Sequence, residues 1–197
     1  MSDSPSAIPP SVPNMVLVGA SGRNSGKTTL ACRLIQSWQE RWPVIALKVV
    51  SVGQEGRRCH RGHDGCGLCT DLSGPYRLTE ETDATSPKDT AQMLRAGAKK
   101  SFLLVCRETH LPEGFAAFLQ QTPPGALLVC ESNTLRKYAV PGVFLFANAS
   151  AADTLKPSAH IARPLADGLV TPGGRPAEDM VAVDKQANGS LRVRYVP

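Results

Sequence analysis

Short apolar runs alternate with amphipathic segments along most of the chain. The first run, residues 15–20, ends in alanine after a glycine and is followed by a Gly/Ser-rich loop and a helical pattern over residues 27–42. Residues 44–52 form a β-branched run, which is typical of a parallel strand buried on both faces. Further strands are predicted at residues 101–106, 126–130 and 143–147, and further helices at residues 88–97 and 112–121.

This alternation predicts an α/β fold with a doubly wound, mostly parallel sheet. One nucleotide-binding domain of the P-loop NTPase type is expected over residues 15–156. Residues 1–14, which are rich in Ser and Pro, are expected to be disordered. Residues 53–87 form a predicted irregular loop, and a loop of this length usually has a function or is flexible. Residues 157–197 are expected to be a loop-like C-terminal extension with one late strand.

Charge and composition narrow the possible partners. The chain has 22 Lys and Arg against 17 Asp and Glu, so its net charge of +5 suits an anionic partner such as a nucleotide. Only 5% of its 197 residues are aromatic and no basic run is present, which argues against nucleic-acid binding. No apolar stretch approaches the roughly 20 residues that span a bilayer, and no secretory signal is visible. We expect a cytoplasmic protein with no membrane partner.

The run Ser21–Thr29 lies between the first predicted strand and the first predicted helix. Backbone N–H groups of such a loop can wrap a phosphate at the helix N-terminus. Lys27 would reach the β- and γ-phosphate oxygens, and the Thr28 hydroxyl would ligate Mg²⁺. The expected nucleotide contacts in this run are Gly22, Arg23, Asn24, Ser25, Gly26, Lys27, Thr28 and Thr29.

The run departs from the usual pattern at one position. The first glycine of the pattern, five residues before Gly26, is Ser21 in this chain. A serine can still close the turn while the neighbouring Gly22 supplies backbone freedom, so we interpret the run as a variant phosphate-binding loop. Gly26 itself is expected to be required because a side chain there would block the phosphate.

Two acidic residues are candidates for holding the magnesium and acting with Lys27 in catalysis. Asp89 begins the second predicted helix, and Glu131 follows the strand 126–130 at the sheet edge where α/β proteins bind ligands. Helix capping is the alternative for Asp89, and solvent exposure is the alternative for Glu131. Lys48 lies within an apolar strand, so its amine should contact an anionic group or extend to the sheet edge.

Three cysteines lie close together in the predicted loop 53–87. Cys59, Cys66 and Cys69, with His63 as a further ligand, could hold one zinc ion, and three cysteines could equally hold an iron–sulfur cluster. Free or redox-active thiols are the alternative. The remaining cysteines, Cys32, Cys106 and Cys130, sit in apolar runs and are expected to be buried, although either of the last two could complete the metal site.

Three segments together resemble the molybdopterin-guanine dinucleotide biosynthesis protein B family: Asn24–Leu30, the strand Val44–Val50 with Lys48, and Lys88–Thr90 leading into Arg95–Ala98. The resemblance implies a P-loop protein that binds GTP rather than ATP. It also implies a homodimeric, slow or latent GTPase that acts as an adaptor for a molybdenum cofactor assembly enzyme. From its place in an apolar strand, Lys48 is expected to contact a phosphate or the pterin. The chain differs from the family in having Val49-Val50-Ser51 where a histidine is usual, and in its cysteine cluster.

Several alternatives stay open. Asn148, after the strand 143–147, could contact the base or cap a turn. Arg57, Arg58 and Arg61 in the loop 53–87 could form the lid of a small-molecule kinase. A metal-sensing or redox-sensing module that retains the P-loop is a third possibility for the whole chain.

Overall fold

The computed structural model describes residues 8–22, 25–52, 72–148 and 155–197. Its main sheet has seven strands in the order β3-β4-β2-β5-β1-β6-β7, and all neighbours are parallel except β3 and β4. The strands are β1 (Ser11–Ala20), β2 (Val44–Val52), β3 (Tyr76–Glu80), β4 (Lys100–Arg107), β5 (Leu127–Glu131), β6 (Val140–Ala147) and β7 (Gly168–Val170). The expected α/β class with a mostly parallel sheet is confirmed.

Helices cover both faces of this sheet, as the doubly wound arrangement requires. They are α1 (Lys27–Trp38), α2 (Asp89–Arg95), α3 (Leu111–Gln120) and α4 (Pro157–Ala162), with short 3-10 turns at Glu108–His110, Thr134–Lys137, Arg163–Leu165 and Ala177–Met180. The first two helices pack on one face together with the antiparallel hairpin β8 (Val181–Lys185) and β9 (Leu191–Tyr195), and the other two pack on the opposite face.

The sequence pattern explains why the central strands are completely buried. Every residue of β5 is buried, because its odd-numbered residues face α1 and α2 while its even-numbered residues face α3. In α1 the buried residues recur at helical spacing, at Leu30, Ala31, Leu34, Ile35 and Trp38, so one side of the helix packs on the sheet.

Several predicted boundaries were wrong. The first strand begins at Ser11, inside the segment expected to be disordered, because residues 11 and 12 pair with β6. The first helix ends at Trp38 rather than residue 42. The predicted loop 53–87 contains the strand β3, whose short polar sequence pairs antiparallel with β4 at the sheet edge. Residues 53–71, which carry the cysteine cluster and its arginines, lie outside the described residues.

The C-terminal region is also more ordered than predicted. Instead of one late strand, residues 157–197 contain α4, β7 and the β8–β9 hairpin. The hairpin loop lies between Gln186 and Ser190, where the Gly189 N–H donates to the Gln186 carbonyl at 2.9 Å, and Gly189 has a φ of 82°, the left-handed conformation that glycine favours at the end of a three-residue hairpin loop. No helix in the described part of the chain has the length and apolarity that crossing a membrane would need.

Candidate functional site

The carboxyl ends of the parallel strands meet at one edge of the sheet, where a cleft of about 620 Å³ opens. It lies beside the N-termini of α1 and α2 and the residues that follow β5. Nine of the predicted site residues line it: Gly22, Ser25, Gly26, Lys27, Thr28, Thr29, Lys48, Asp89 and Glu131. Arg23 and Asn24 lie outside the described residues.

A buried carboxylate forms the floor of the cleft. Glu131 is 1% exposed, so the alternative that it is merely a solvent-exposed acid is wrong. It is the register partner of Lys48 on the neighbouring strand, and the Lys48 amine is bonded to its Oε1. The Thr28 hydroxyl, at the start of α1, donates to its Oε2 at 2.8 Å. Two strands and a helix are thereby joined through a single carboxylate.

Asp89 completes this cluster from α2. Its Oδ2 lies 2.8 Å from the Lys48 amine, and its side chain is 42% exposed. Asp89 is the first residue of the helix, the N-cap position is Lys88, and no side chain caps that end. Its carboxylate therefore partners Lys48. Lys48 in turn contacts two carboxylates, instead of extending to water at the sheet edge.

Two serine hydroxyls between β1 and α1 are joined by a hydrogen bond. The buried Ser21 hydroxyl donates to Ser25 Oγ at 3.1 Å, and the Gly22 N–H donates to the same oxygen at 2.8 Å. Gly26, which precedes α1, has a φ of 81°, and a Cβ placed on it would lie more than 4 Å from every described residue other than its chain neighbours. Glycine is therefore required there by backbone conformation, and the space beside it is open to a ligand.

Lys27 is the first residue of α1, and its amine donates to the Gly22 carbonyl at 2.9 Å. Burial lowers the pKa of Lys27 from its ordinary value. The positive charges of Lys48 and Lys156 lower that pKa further, against the raising effect of Glu131 and Asp89. An anion beside this amine would favour its charged form.

The residues after β5 fix the end of β1, a role that the sequence analysis missed. The Ser132 N–H donates to the Val18 carbonyl at 3.0 Å. The Asn133 side chain accepts from the Ala20 N–H at 2.9 Å and donates to the Ala20 carbonyl at 2.9 Å, as a strand residue would. The sequence signal was their place directly after Glu131 at the carboxyl edge. Other cleft residues that were missed are Gln92, Thr134, Lys156 and Ser158.

Three further candidates, Asn148, Cys106 and Cys130, do not line this cleft. The Asn148 N–H donates to the Val170 carbonyl at 2.8 Å, so its backbone continues the pairing of β6 with β7, and Asn148 is not among the described cleft residues. Cys106 and Cys130 are fully buried, as expected, while Cys32 is half-buried. Burial raises the pKa of Cys106 to about 11 and also raises that of Cys130, which disfavours the thiolate that a metal needs.

The described part of the chain contains no group of three or more His, Cys, Asp and Glu residues that could hold a metal ion. Cys59, His63, Cys66 and Cys69 lie outside the described residues, so their metal site stays a prediction.

The two hydrogen bonds of Asn133 generate a stability prediction. Asn133→Asp removes the donor to the Ala20 carbonyl and places a second acceptor against it, so the free energy of unfolding should fall by about 1–3 kcal/mol. Asn188→Asp is the matched control, because Asn188 uses its side-chain oxygen as an acceptor, which aspartate retains. Urea unfolding of both variants measures the difference, and equal stabilities would contradict a stabilising role for the two hydrogen bonds between Asn133 and Ala20.

Comparison with known proteins supplies no relative: no family model, curated protein or solved structure matches this chain.

Proposed function

We propose that this chain is a P-loop protein that binds a Mg²⁺-nucleotide, with GTP as the nucleotide, and acts as an adaptor in molybdenum cofactor assembly. The observation that carries the nucleotide proposal is the cluster of Thr28, Lys48, Asp89 and Glu131 beside the glycine loop at the start of α1. An anion-binding loop and a set of oxygen ligands then share one cleft.

The loop suits a phosphate group on three counts. Gly26 leaves open space beside the N-terminus of the 12-residue helix α1, whose unpaired N–H groups and dipole favour an anion. Lys27 stands at that N-terminus with a lowered pKa, and a phosphate would offset the repulsion from its neighbouring lysines. The amine would exchange its bond to the Gly22 carbonyl for phosphate oxygens.

The donor set suits Mg²⁺, which prefers oxygen ligands. Thr28 supplies a hydroxyl, and Glu131 and Asp89 supply carboxylate oxygens, all of them on the cleft. These residues would hold the ion or its bound waters, and the ion would neutralise charge on the phosphates. Lys48 keeps both carboxylates in place, because it is bonded to each of them.

The choice of GTP and of the cellular role is supported by the sequence resemblance of residues 24–30, 44–50 and 88–98. On that basis the partners are a second copy of the chain and an assembly enzyme that handles the pterin. Cytoplasmic location belongs to the same proposal.

Removal of the Lys27 amine tests nucleotide binding. For the wild type we expect Mg²⁺-GTP at about 100 times its Kd to raise the melting temperature by roughly 5–10 °C, since binding to the native state alone adds about 2.7 kcal/mol. Lys27→Ala should abolish the rise, because it removes the cation at the start of α1. Lys99→Ala, at an exposed position outside the cleft, is the matched control. Equal rises in all three proteins would contradict the proposal, and a larger rise with ATP would overturn the choice of GTP.

A second cleft favours a second candidate function, that of a small-molecule kinase. It has a volume of about 370 Å³ and adjoins the first, because both are lined by Lys48, Asp89 and Val50. Pro87 and Leu103 contribute apolar surface to it. A small molecule there would lie next to the proposed nucleotide site, with the Lys48–Asp89 ion pair lining both clefts.

Products distinguish the two functions. For an adaptor we expect GTP turnover well below the roughly 1–100 s⁻¹ of kinases, with one phosphate released per GDP formed. In the measurement, the protein and GTP are mixed with the fraction below 1 kDa from a cell extract, and the GDP and inorganic phosphate formed are quantified in the same sample. GDP formed in clear excess over phosphate would show transfer to an acceptor and favour the kinase.

We also propose that Cys59, Cys66, Cys69 and His63 bind zinc or an iron–sulfur cluster, on the support of their spacing alone. Protein purified without oxygen should contain about one equivalent of zinc, or iron with sulfide. Cys66→Ser with Cys69→Ser should lose the metal, whereas Cys32→Ser, at a half-buried position in α1, should keep it. Elemental analysis measures the metal content of both variants. Equal contents would contradict the metal site and indicate that these cysteines are free thiols.

A further inference from the structure

The cleft holds a third lysine that the loop motif does not include. Lys156 directly precedes α4, and its backbone N–H donates to the Ser21 carbonyl at 3.3 Å. This bond attaches the start of α4 to the first residue of the loop before α1. Lys156 and Ser158 line the cleft from the β6 side, whereas Asp89 and Glu131 line it from the side of β2 and β5.

The three lysines of the cleft differ in their charge partners. Lys48 is paired with both carboxylates, whereas the one hydrogen bond of the Lys27 amine to the described part of the chain goes to the neutral Gly22 carbonyl. Within the described ranges no carboxylate lies within 4 Å of the Lys156 amine, and the residue is exposed. The described charged residues of the cleft are thus three lysines and two acids, 3 − 2 = +1, and both acids are paired with Lys48.

Lys156 also acts on Lys27. Burial lowers the pKa of Lys27 most and Glu131 raises it; after these, the charge of Lys156 lowers that pKa more than the charge of Asp89 raises it, so the two ammonium groups repel each other. A chain of phosphates between two such groups would convert that repulsion into two attractions. A ligand with a single phosphate at the glycine loop would leave Lys156 without a partner.

We propose that Lys156 is a second polyphosphate-binding residue, which contacts the phosphate chain on the side away from Thr28 and Glu131. This inference rests on the proposed nucleotide function and specifies it: the cleft selects ligands with several linked phosphates, and selection depends on Lys156. The metal and its carboxylates would contact one side of the phosphate chain, and Lys156 would contact the other side.

Dissociation constants for ligands with different phosphate numbers test this role. The probes are Mg²⁺-GTP, Mg²⁺-GDP, GMP and inorganic tripolyphosphate, and the proteins are the wild type, Lys156→Ala, Lys156→Arg and the control Lys99→Ala. A lost charge-assisted hydrogen bond should weaken GTP and tripolyphosphate binding by about ten- to a hundredfold in Lys156→Ala. GMP binding should change by less than about threefold, and Lys156→Arg should retain most of the affinity for GTP.

Several outcomes would overturn the inference. Equal GTP affinity in Lys156→Ala and Lys99→Ala, with wild-type binding intact, would remove Lys156 from the site and leave the proposed function standing. Equal losses for GTP and GMP, with tripolyphosphate unaffected, would assign Lys156 to the nucleoside instead. A wild type that binds neither GTP nor tripolyphosphate would overturn the proposed function together with this inference. Because Lys156 is exposed, the variants should melt at the wild-type temperature without ligand, which separates lost binding from lost folding.

Discussion

The burial of Glu131 is the constraint on which the cleft depends. A carboxylate that is 1% exposed must be paired, because an isolated buried charge is far too costly to keep. Lys48 pairs it from the neighbouring strand, and Thr28 donates to it from α1. Removing one partner of such a pair typically costs about 3–5 kcal/mol. The positions of β2, β5 and the start of α1 are therefore fixed together by one side chain.

The charge on Lys27 lowers the stability of the folded chain. Burial and two neighbouring lysines lower the pKa of Lys27, so its charged form is less stable in the folded chain than in the unfolded chain. By linkage, this cost is fully present below its folded-state pKa and is lost as the pH rises toward 10.5, the ordinary value. An anion beside the Lys27 amine would remove part of this cost, because it would stabilise the charged form.

The sequence predicted the individual residues of the cleft better than the contacts between them. Asp89 and Glu131 could be found because each stands at the end or start of a recognisable element. The pairing of Lys48 with Glu131 depends on the register of two strands 83 positions apart, which no local pattern specifies. Lys156 had no signal, since it reaches the cleft only because α4 folds back against Ser21. The β8–β9 hairpin does have a local sequence signal, because Asn188 and Gly189 stand between its two strands.

The Lys48–Asp89 ion pair links the two clefts. Asp89 is 42% exposed and borders both cavities, whereas Glu131 is buried and borders only the first. A molecule in the second cleft that bonds to Asp89 would compete with Lys48 for that carboxylate. Lys48 would then keep its ion pair with Glu131 but lose the one with Asp89. The Glu131 oxygens also accept from Thr28, so their availability to a metal would change. Binding linkage is reciprocal, so a ligand of the first cleft that depends on these carboxylates would alter the affinity of the second cleft by the same factor.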